Sequence, residues 1–245
     1  MLENKKAVLF DLGSTLLEYE KFDWSAIATM GLQAGYKFLE SKTDNIPSLV
    51  EISEVFHKIF TTWAEERNPK YLEINFEELV VEAFNEIGIS TEQNFVYDFI
   101  LAYYSPISEF VEPLEGSDET LRKLKDKEKK IVIVSNSIFP AYLHLEELRR
   151  FNLLSYINSM IFSCELGIKK PHPDIYAHAL EIAGCNPEEA LFIGDRYLED
   201  IQGPNRSGIQ AVLIKKTGRE YPPEIEDYPA CENHETLRKL LGLDY

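Results

Sequence analysis

The sequence predicts an α/β protein in which a doubly wound parallel sheet carries an inserted domain made only of helices. Short apolar runs of buried-strand type alternate with helical patterns, and these runs lie at residues 7–10, 131–134, 190–193 and 211–214. About 90 residues with helical periodicity separate the first run from the next, where a crossover between parallel strands needs about a dozen or more. The excess predicts a separate helical domain.

The first half of the chain is expected to hold one strand and four helices. Residues 7–10 form the strand, and residues 16–21 suit a turn or a small flap. Apolar residues then recur every three or four positions in four segments, 22–41, 47–67, 75–87 and 91–104. Asn75 and Thr91 stand where N-caps are expected.

The second half is expected to alternate strands and helices. Strands are predicted at 131–134, 157–162, 190–193 and 211–214, and helices at 118–129, 140–150, 173–183, 198–206 and 234–241. Residues 216–232 are rich in proline and glycine and are predicted to form a loop. Residues 1–17 and 113–245 would then form a Rossmann-like core, and residues 18–112 the helical domain.

The chain is strongly acidic, with a formal net charge of −17. This charge argues against nucleic acid or an anionic membrane as the main partner. Cys164, Cys185 and Cys231 are odd in number and lack metal-ligand spacing, so they are expected to be free thiols in a reducing compartment. No apolar run approaches the ~18 residues of a membrane span, and the first strand follows Met1 closely, so we expect a cytoplasmic protein. The oligomeric state is left open.

Polar side chains follow the predicted strands at the points where the strands end. They are Asp11, Ser135 with Asn136, Asp195 after Gly194, and Asp200. In sequence, Lys170 lies between Asn136 and Gly194, and the following Pro171 favours an extended backbone at Lys170. Because the carboxyl ends of parallel strands share one edge of a sheet, we expect these groups to converge. Carboxylate oxygens suit Mg²⁺, and a lysine beside them can offset the charge of a phosphoryl group.

These residues resemble the four motifs of the haloacid dehalogenase superfamily, whose members are aspartate-nucleophile hydrolases and phosphotransferases. Phe10–Thr15 resembles the first motif, Val134–Asn136 the second, Lys170–Asp174 the third and Gly194–Asp200 the fourth. Each motif alone is weak, but the four occur in order over nearly the whole chain. The resemblance implies that residues 18–112 are a helical cap, which in this family selects the substrate and shields the site from water.

The resemblance also implies a role for each residue. Asp11 would be the nucleophile, and Asp11, the backbone carbonyl of Gly13 and Asp195 would bind Mg²⁺. Asp200 would support the metal site without binding the ion. The groups implied to bind the phosphoryl group are Ser135, Asn136 and Lys170. The implied partner is a small phosphorylated metabolite.

The first motif departs from the family pattern at Gly13. Phosphatases of the superfamily usually carry a second aspartate there, which protonates the leaving group and then activates water. General acid–base catalysis of this kind contributes roughly 10²- to 10⁴-fold. Glycine leaves the carbonyl ligand in place and removes the proton shuttle. Glu18 and Glu20 are near enough in sequence to replace it.

Four hypotheses therefore remain. Mg²⁺-dependent phosphoryl transfer could continue, with the proton handled by water or a cap residue, or with a good leaving group such as an acyl phosphate. The protein could instead bind a phosphorylated ligand or a partner without turnover. C–P bond cleavage, as in the phosphonate hydrolases of the superfamily, would need a cap lysine, for which Lys37, Lys42 and Lys58 are available. Dehalogenation is disfavoured, since the family's dehalogenases work without Mg²⁺ and lack the acidic Gly-Asp motif that Gly194-Asp195 preserves.

Overall fold

A parallel sheet forms the centre of the structure, a computed structural model that describes residues 1–21 and 23–244. The strands of the described residues are β1 (Ala7–Phe10), β2 (Leu17–Glu18), β3 (Glu112–Pro113), β4 (Lys130–Ser135), β5 (Ser159–Phe162), β6 (Ala190–Gly194), β7 (Gln210–Ile214) and β8 (Ala230–Cys231). Six of them make the sheet, in the order β5-β4-β1-β6-β7-β8, and every neighbouring pair in it is parallel. The predicted α/β fold is confirmed.

Helices flank this sheet and also fill the stretch between β2 and β3. They are α1 (Trp24–Lys42), α2 (Leu49–Arg67), α3 (Phe76–Ile87), α4 (Gln93–Glu109), α5 (Ser117–Asp126), α6 (Ala141–Arg150), α7 (Ser163–Leu166), α8 (Pro173–Ala183), α9 (Gly203–Arg206) and α10 (His234–Leu241). A π-helical turn, Tyr197–Gln202, precedes α9. Short 3-10 turns lie at Asn68–Lys70, Leu154–Tyr156, Pro187–Glu189 and Pro223–Asp227.

The strand order makes β1 the central strand and the point where the chain changes direction along the sheet. Phe10 is in register with Ile133 of β4 on one side and with Ile193 of β6 on the other. Residues that follow these three strands therefore emerge at one edge, at a topological switch point where α/β proteins bind ligands. All four side chains of β1 are fully buried, because helices cover both faces of the sheet.

The helices α1 to α4, called here the helical region, pack around a second hydrophobic core that also includes Leu143 of α6. This core is rich in aromatic residues, among them Phe56, Phe84 and Phe99. Glycines let α1 approach α4 closely: a Cβ atom at Gly31 would lie 2.6 Å from the Tyr103 ring, and one at Gly35 equally close to the Phe99 ring. The strand β2 precedes this region and β3 follows it, and the two pair with each other in antiparallel orientation. The division into two domains at residues 17/18 and 112/113 stays a prediction.

Several local predictions were wrong in detail. Thr91 is not an N-cap: α4 begins at Gln93 with Glu92 at the cap position, and it runs five residues past the predicted end despite Pro106. Asn75 does cap α3, accepting hydrogen bonds from the backbone N–H groups of Glu77 and Glu78. The segment 198–206 is not one α-helix but a π-helical turn followed by α9.

The predicted loop 216–232 also contains structure. It holds a 3-10 turn and β8, the sixth strand of the sheet. Cys164, Cys185 and Cys231 are free thiols. No helix among residues 1–21 and 23–244 is long and apolar enough to cross a membrane.

Candidate active site

Asp11 lies directly after β1, at the carboxyl edge of the sheet. Its backbone N–H donates to the Ile193 carbonyl at 2.9 Å, which extends the pairing of β1 with β6 by one residue. The side chain is buried, with 7% of the residue exposed. One carboxylate oxygen accepts from Lys170 Nζ at 2.8 Å and the other from the Thr15 hydroxyl at 3.2 Å.

Lys170 places a buried ammonium group between two aspartates. Its Nζ lies 2.8 Å from Asp11 Oδ1 and 2.7 Å from Asp200 Oδ1, and only 2% of the residue is exposed. Burial alone would lower the pKa of this amine, but the two carboxylates outweigh it and raise the pKa above its usual value. Lys170 is therefore a permanent cation here.

The backbone of Lys170 is held by Asn136, which follows β4. The Asn136 side chain accepts from the Lys170 N–H at 2.8 Å and donates to the Lys170 carbonyl at 2.9 Å. The amide that sequence reasoning assigned to phosphate thus contacts the lysine loop. A phosphate-binding role for Asn136 stays a prediction. Ser135, one residue earlier, is buried at the end of β4, the strand next to β1.

Asp200 is buried within the π-helical turn and holds the loop after β6. Its second oxygen accepts from the backbone N–H groups of Asp195 and Arg196, at 3.1 and 2.8 Å. The carboxylate lies so close to Gly194 that a Cβ atom there would be 2.4 Å from Asp200 Cγ, so only glycine fits. Burial raises the pKa of Asp200 to about 7; Lys170 opposes this rise and Asp11 adds to it.

Among the described residues, Asp195 carries the one carboxylate oxygen of this group that has no hydrogen-bond partner. It is completely buried; its Oδ2 is paired with the Arg219 guanidinium, while its Oδ1 accepts no hydrogen bond from the described residues. Oxygens of Asp11, Asp195 and Asp200 lie within 4.8 Å of one another. A buried, unpaired carboxylate oxygen is costly without a cation. The residues present therefore fit a hard divalent cation such as Mg²⁺.

Gly13 faces an aromatic ring. A Cβ atom at Gly13 would lie 3.5 Å from Tyr19 Cδ2, an ordinary van der Waals distance. The Tyr19 hydroxyl donates to Glu147 Oε2 at 2.5 Å, beside His144, and burial raises the pKa of this phenol well above its usual value. The group nearest to the position of the missing aspartate is thus a neutral phenol whose proton is already shared with Glu147.

Glu18 and Glu20, the carboxylates suggested as replacements, are engaged with cations. Glu18 accepts from Lys216 at 3.0 Å. Glu20 pairs with Arg196, Lys216 and Arg219. Lys216 and Arg219 were missed from the sequence because they fall in the predicted loop 216–232. Their position just after a buried strand, at the same edge as Asp11, was the available signal.

The lysines that a phosphonate-cleaving mechanism would need lie on the surface of the helical region. Lys37, Lys42 and Lys58 are all exposed. Lys58 is paired with Glu86 at 2.8 Å. This arrangement is that of ordinary surface lysines.

Comparison with known proteins identifies the family. The model of the haloacid dehalogenase-like hydrolases matches residues 47–214, more than half of the chain. The chain belongs to this family of hydrolases. The matched stretch contains Ser135, Lys170 and Asp195 and begins after Asp11.

Similar proteins include phosphatases and dehalogenases. A glyceraldehyde 3-phosphate phosphatase from Methanopyrus kandleri is 28% identical over 215 residues, which cover 86% of this chain and 84% of that protein. The structure of a haloacid dehalogenase-like phosphatase from Thermococcus onnurineus matches with a TM-score of 0.65 and 26% identity, covering 97% and 98% of the two chains. A 2-haloacid dehalogenase from Pseudomonas syringae matches with a TM-score of 0.73 over 98% and 100% of the chains; at 20% identity, it shows the fold alone.

His234, at the start of α10, fixes the first motif and gives the fold a pH dependence. Its Nε2 contacts the Thr15 carbonyl at 2.7 Å, and burial lowers the pKa of the imidazole from 6.5 to about 4, with Arg238 adding to the fall and Thr15 and Asp118 opposing it. The unfolded chain therefore binds this proton more readily than the folded protein. We expect this contribution to stability to be complete above about pH 6.5 and to fall by about 2–3 kcal/mol as the pH approaches 4.

The measurement is the free energy of unfolding in urea at pH 7 and at pH 4.5. In His234→Gln the part of the acid destabilisation due to this imidazole should disappear. His178→Gln is the matched control, since His178 is exposed and should leave the pH dependence as it is. Equal pH dependence in wild type and His234→Gln would contradict the assignment.

Proposed function

We propose that the protein is an Mg²⁺-dependent phosphatase that acts on a small phosphorylated metabolite through an aspartyl-phosphate on Asp11. The observation that carries the proposal is the buried group of Asp11, Lys170 and Asp195, in which one oxygen of Asp195 has no hydrogen-bond partner among the described residues. A buried carboxylate nucleophile, a permanent cation and an unpaired oxygen for a metal suit phosphoryl transfer. The named activity of the phosphatase from Methanopyrus kandleri supports the same substrate class.

In this proposal Asp11 attacks the phosphorus atom. A bond forms between an Asp11 oxygen and phosphorus, and the bond between phosphorus and the leaving oxygen breaks. Water then attacks the aspartyl-phosphate, which releases inorganic phosphate and restores Asp11. The Lys170 ammonium, 2.8 Å from Asp11, offsets the negative charge that gathers on the phosphoryl oxygens.

Asp11, the Gly13 carbonyl and Asp195 would hold the metal ion. When bound, Mg²⁺ supplies positive charge next to the phosphoryl oxygens. Arg219 engages one oxygen of Asp195, and the other, which has no partner among the described residues, would be the metal ligand. Asp200 has its own oxygens filled by Lys170 and by two backbone N–H groups, which suits a supporting role rather than a ligand.

Phosphoryl binding is assigned to Lys170 and Ser135, and Asn136 positions Lys170. Residues 18–112 act as a cap that shields the site from water. Hydrogen bonds tie this region to the core: Tyr104 donates to Glu147 at 2.9 Å, and Ser163 donates to Glu73 at 2.6 Å. These buried contacts give the cap a defined resting position over the core.

The absence of an acid at Gly13 limits which substrates react well. The Tyr19 ring beside Gly13 offers no ionisable proton near neutral pH, so the leaving group departs without a general acid. Substrates whose leaving oxygen is already a weak base, such as acyl phosphates, are expected to react fastest. The same observation supports a second candidate function, binding of a phosphorylated ligand without turnover.

The first test is a survey of phosphate release in the presence of Mg²⁺ from acyl phosphates and phosphomonoesters. We expect turnover by the wild-type protein and a loss of at least about 10³-fold in Asp11→Asn, because the amide cannot form the covalent intermediate. Asp126→Asn, a change at an exposed aspartate on α5, is the control. Phosphate release that survives in Asp11→Asn would refute the nucleophile, and the absence of release from every compound would favour the binding function.

The metal site is tested by a measurement that does not depend on turnover. Isothermal titration with MgCl₂ should show binding to the wild-type protein and a loss of about 10- to 100-fold in affinity in Asp195→Asn, which removes a charged ligand oxygen. Asp126→Asn should bind as the wild type does. If the affinities of wild type and Asp195→Asn agree, Asp195 is not a ligand.

The role of position 13 is tested by restoring the acid. The backbone at Gly13 has no positive φ, and a side chain there meets Tyr19 only at contact distance, so Gly13→Asp should fold. We expect kcat for phosphomonoesters with alkyl leaving groups to rise by about 10²-fold, with little change for acetyl phosphate. Gly13→Asn matches the shape without the proton and should show no such rise. An equal effect of both variants on both substrates would disprove the argument.

A further inference from the structure

Three cations converge on a single carboxylate next to the aspartates. Glu20 Oε1 lies 2.5 Å from Arg196 Nη2, and Glu20 Oε2 lies 2.8 Å from Lys216 Nζ and 2.7 Å from Arg219 Nη2. We call Glu20 with these three cations the Glu20 cluster. Burial acts to raise the pKa of Glu20, but Lys216, Arg219 and Arg196 lower it below its usual value, so the carboxyl is ionised.

The Glu20 cluster adjoins the proposed metal site directly. Arg219 also pairs with Asp195, and Lys216 Nζ lies 2.7 Å from Ser14 Oγ, in the turn that follows Asp11. The cations follow β6 and β7, so the same sheet edge that presents Asp11 presents them. These contacts place the cations next to the residues that would hold the phosphoryl group and the metal ion.

The local charge is balanced, although the molecule as a whole is strongly acidic. The chain has a formal net charge of −17, yet three cations meet here around Glu20, with Glu18 and Asp195 as the other carboxylates. A metal ion bound by Asp195 would neutralise the Asp195 carboxylate. The three cations would then remain with two carboxylates, those of Glu18 and Glu20. Such an excess of positive charge attracts anions.

There is room for a ligand group beside the cluster. An open cavity of about 500 Å³ is lined by Glu20, Lys21, Asp23, Trp24, Arg196 and Arg219. Arg196 is half exposed, with 47% of its side chain accessible, and so can turn from Glu20 to a ligand. The Trp24 residue is 56% exposed and offers an apolar surface at the rim.

We propose that Arg196, Lys216 and Arg219 form a second anion-binding subsite, in which the Glu20 carboxylate stands where an anionic group of the substrate binds. The inference rests on the proposed function and narrows its substrate class to phosphomonoesters that carry a further compact anion. Guanidinium groups bind carboxylate and phosphate oxygens alike. The shared chemistry is therefore a carboxylate or a second phosphate, and the experiment separates the two.

The test measures binding in Asp11→Asn, which prevents turnover and leaves the Glu20 cluster intact. With Mg²⁺ present, 3-phosphoglycerate is compared with glycerol 3-phosphate, which has a hydroxymethyl group in place of the carboxylate. Fructose 1,6-bisphosphate is compared with fructose 6-phosphate for the second phosphate. We expect the compound with the additional anion to bind at least about tenfold more tightly in one of the pairs, and that pair identifies the anion.

Substitutions of the cations then test where the preference arises. Arg196→Met and Lys216→Met should each lower the affinity ratio of that pair by about threefold or more, and Glu20→Gln should raise it because the cations lose their internal partner. Lys215→Met is the control, since Lys215 faces Glu226 instead and should leave the ratio unchanged. A residue that merely holds the chain in place would alter both members of a pair equally.

Two results would overturn the subsite: ratios near one in both pairs, or ratios that the Arg196 and Lys216 substitutions do not change. Failure of the proposed function looks different. In that case the wild-type protein releases no phosphate from any compound, while the anion preference in binding and its dependence on Arg196 and Lys216 persist.

Discussion

The site depends on one buried ammonium group placed between two carboxylates. Asp11, Asp195 and Asp200 would repel one another strongly in a buried environment, and Lys170 offsets this repulsion from within 2.8 Å of two of them. The lysine is itself fixed by the side chain of Asn136, and Asp200 uses its other oxygen to hold the loop that carries Asp195. Removing the ammonium would therefore disturb the proposed nucleophile, the candidate metal ligand and the loop together.

The sheet edge at which the site lies could be predicted, because it follows from sheet topology. A buried parallel strand must be apolar, so each polar residue that ends such a run marks the carboxyl edge, and Asp11, Ser135 and Asp195 were found in this way. The helical region was predicted by its periodicity, which is reliable in segments as long as α1 and α2. These features are local in sequence or depend on one general rule of topology.

Other features depend on contacts between residues far apart in the chain. A two-residue strand such as β8 has no periodicity to detect, and it exists because β7 offers an open edge. The π-helical turn brings Asp200 back to the N–H groups of Asp195 and Arg196. The spacing of apolar residues predicts a helix there but does not show that it is a π-helix. Likewise, Arg219 and Glu20 are 199 residues apart, and only the fold brings them together.

The lack of an acidic side chain at Gly13 and the Glu20 cluster both affect how negative charge on the leaving oxygen would be stabilised. In the proposed reaction no general acid is present, so the leaving oxygen would depart with its negative charge, and electrostatic stabilisation of that charge would lower the barrier. Cations fixed near the leaving group do so without a proton transfer. Arg219 and Lys216 are held at the edge of the site by Asp195 and Ser14. In the proposed subsite, a second anion would anchor the substrate beside this positive charge, which would supply binding energy and offset part of the effect of lacking an aspartate at Gly13.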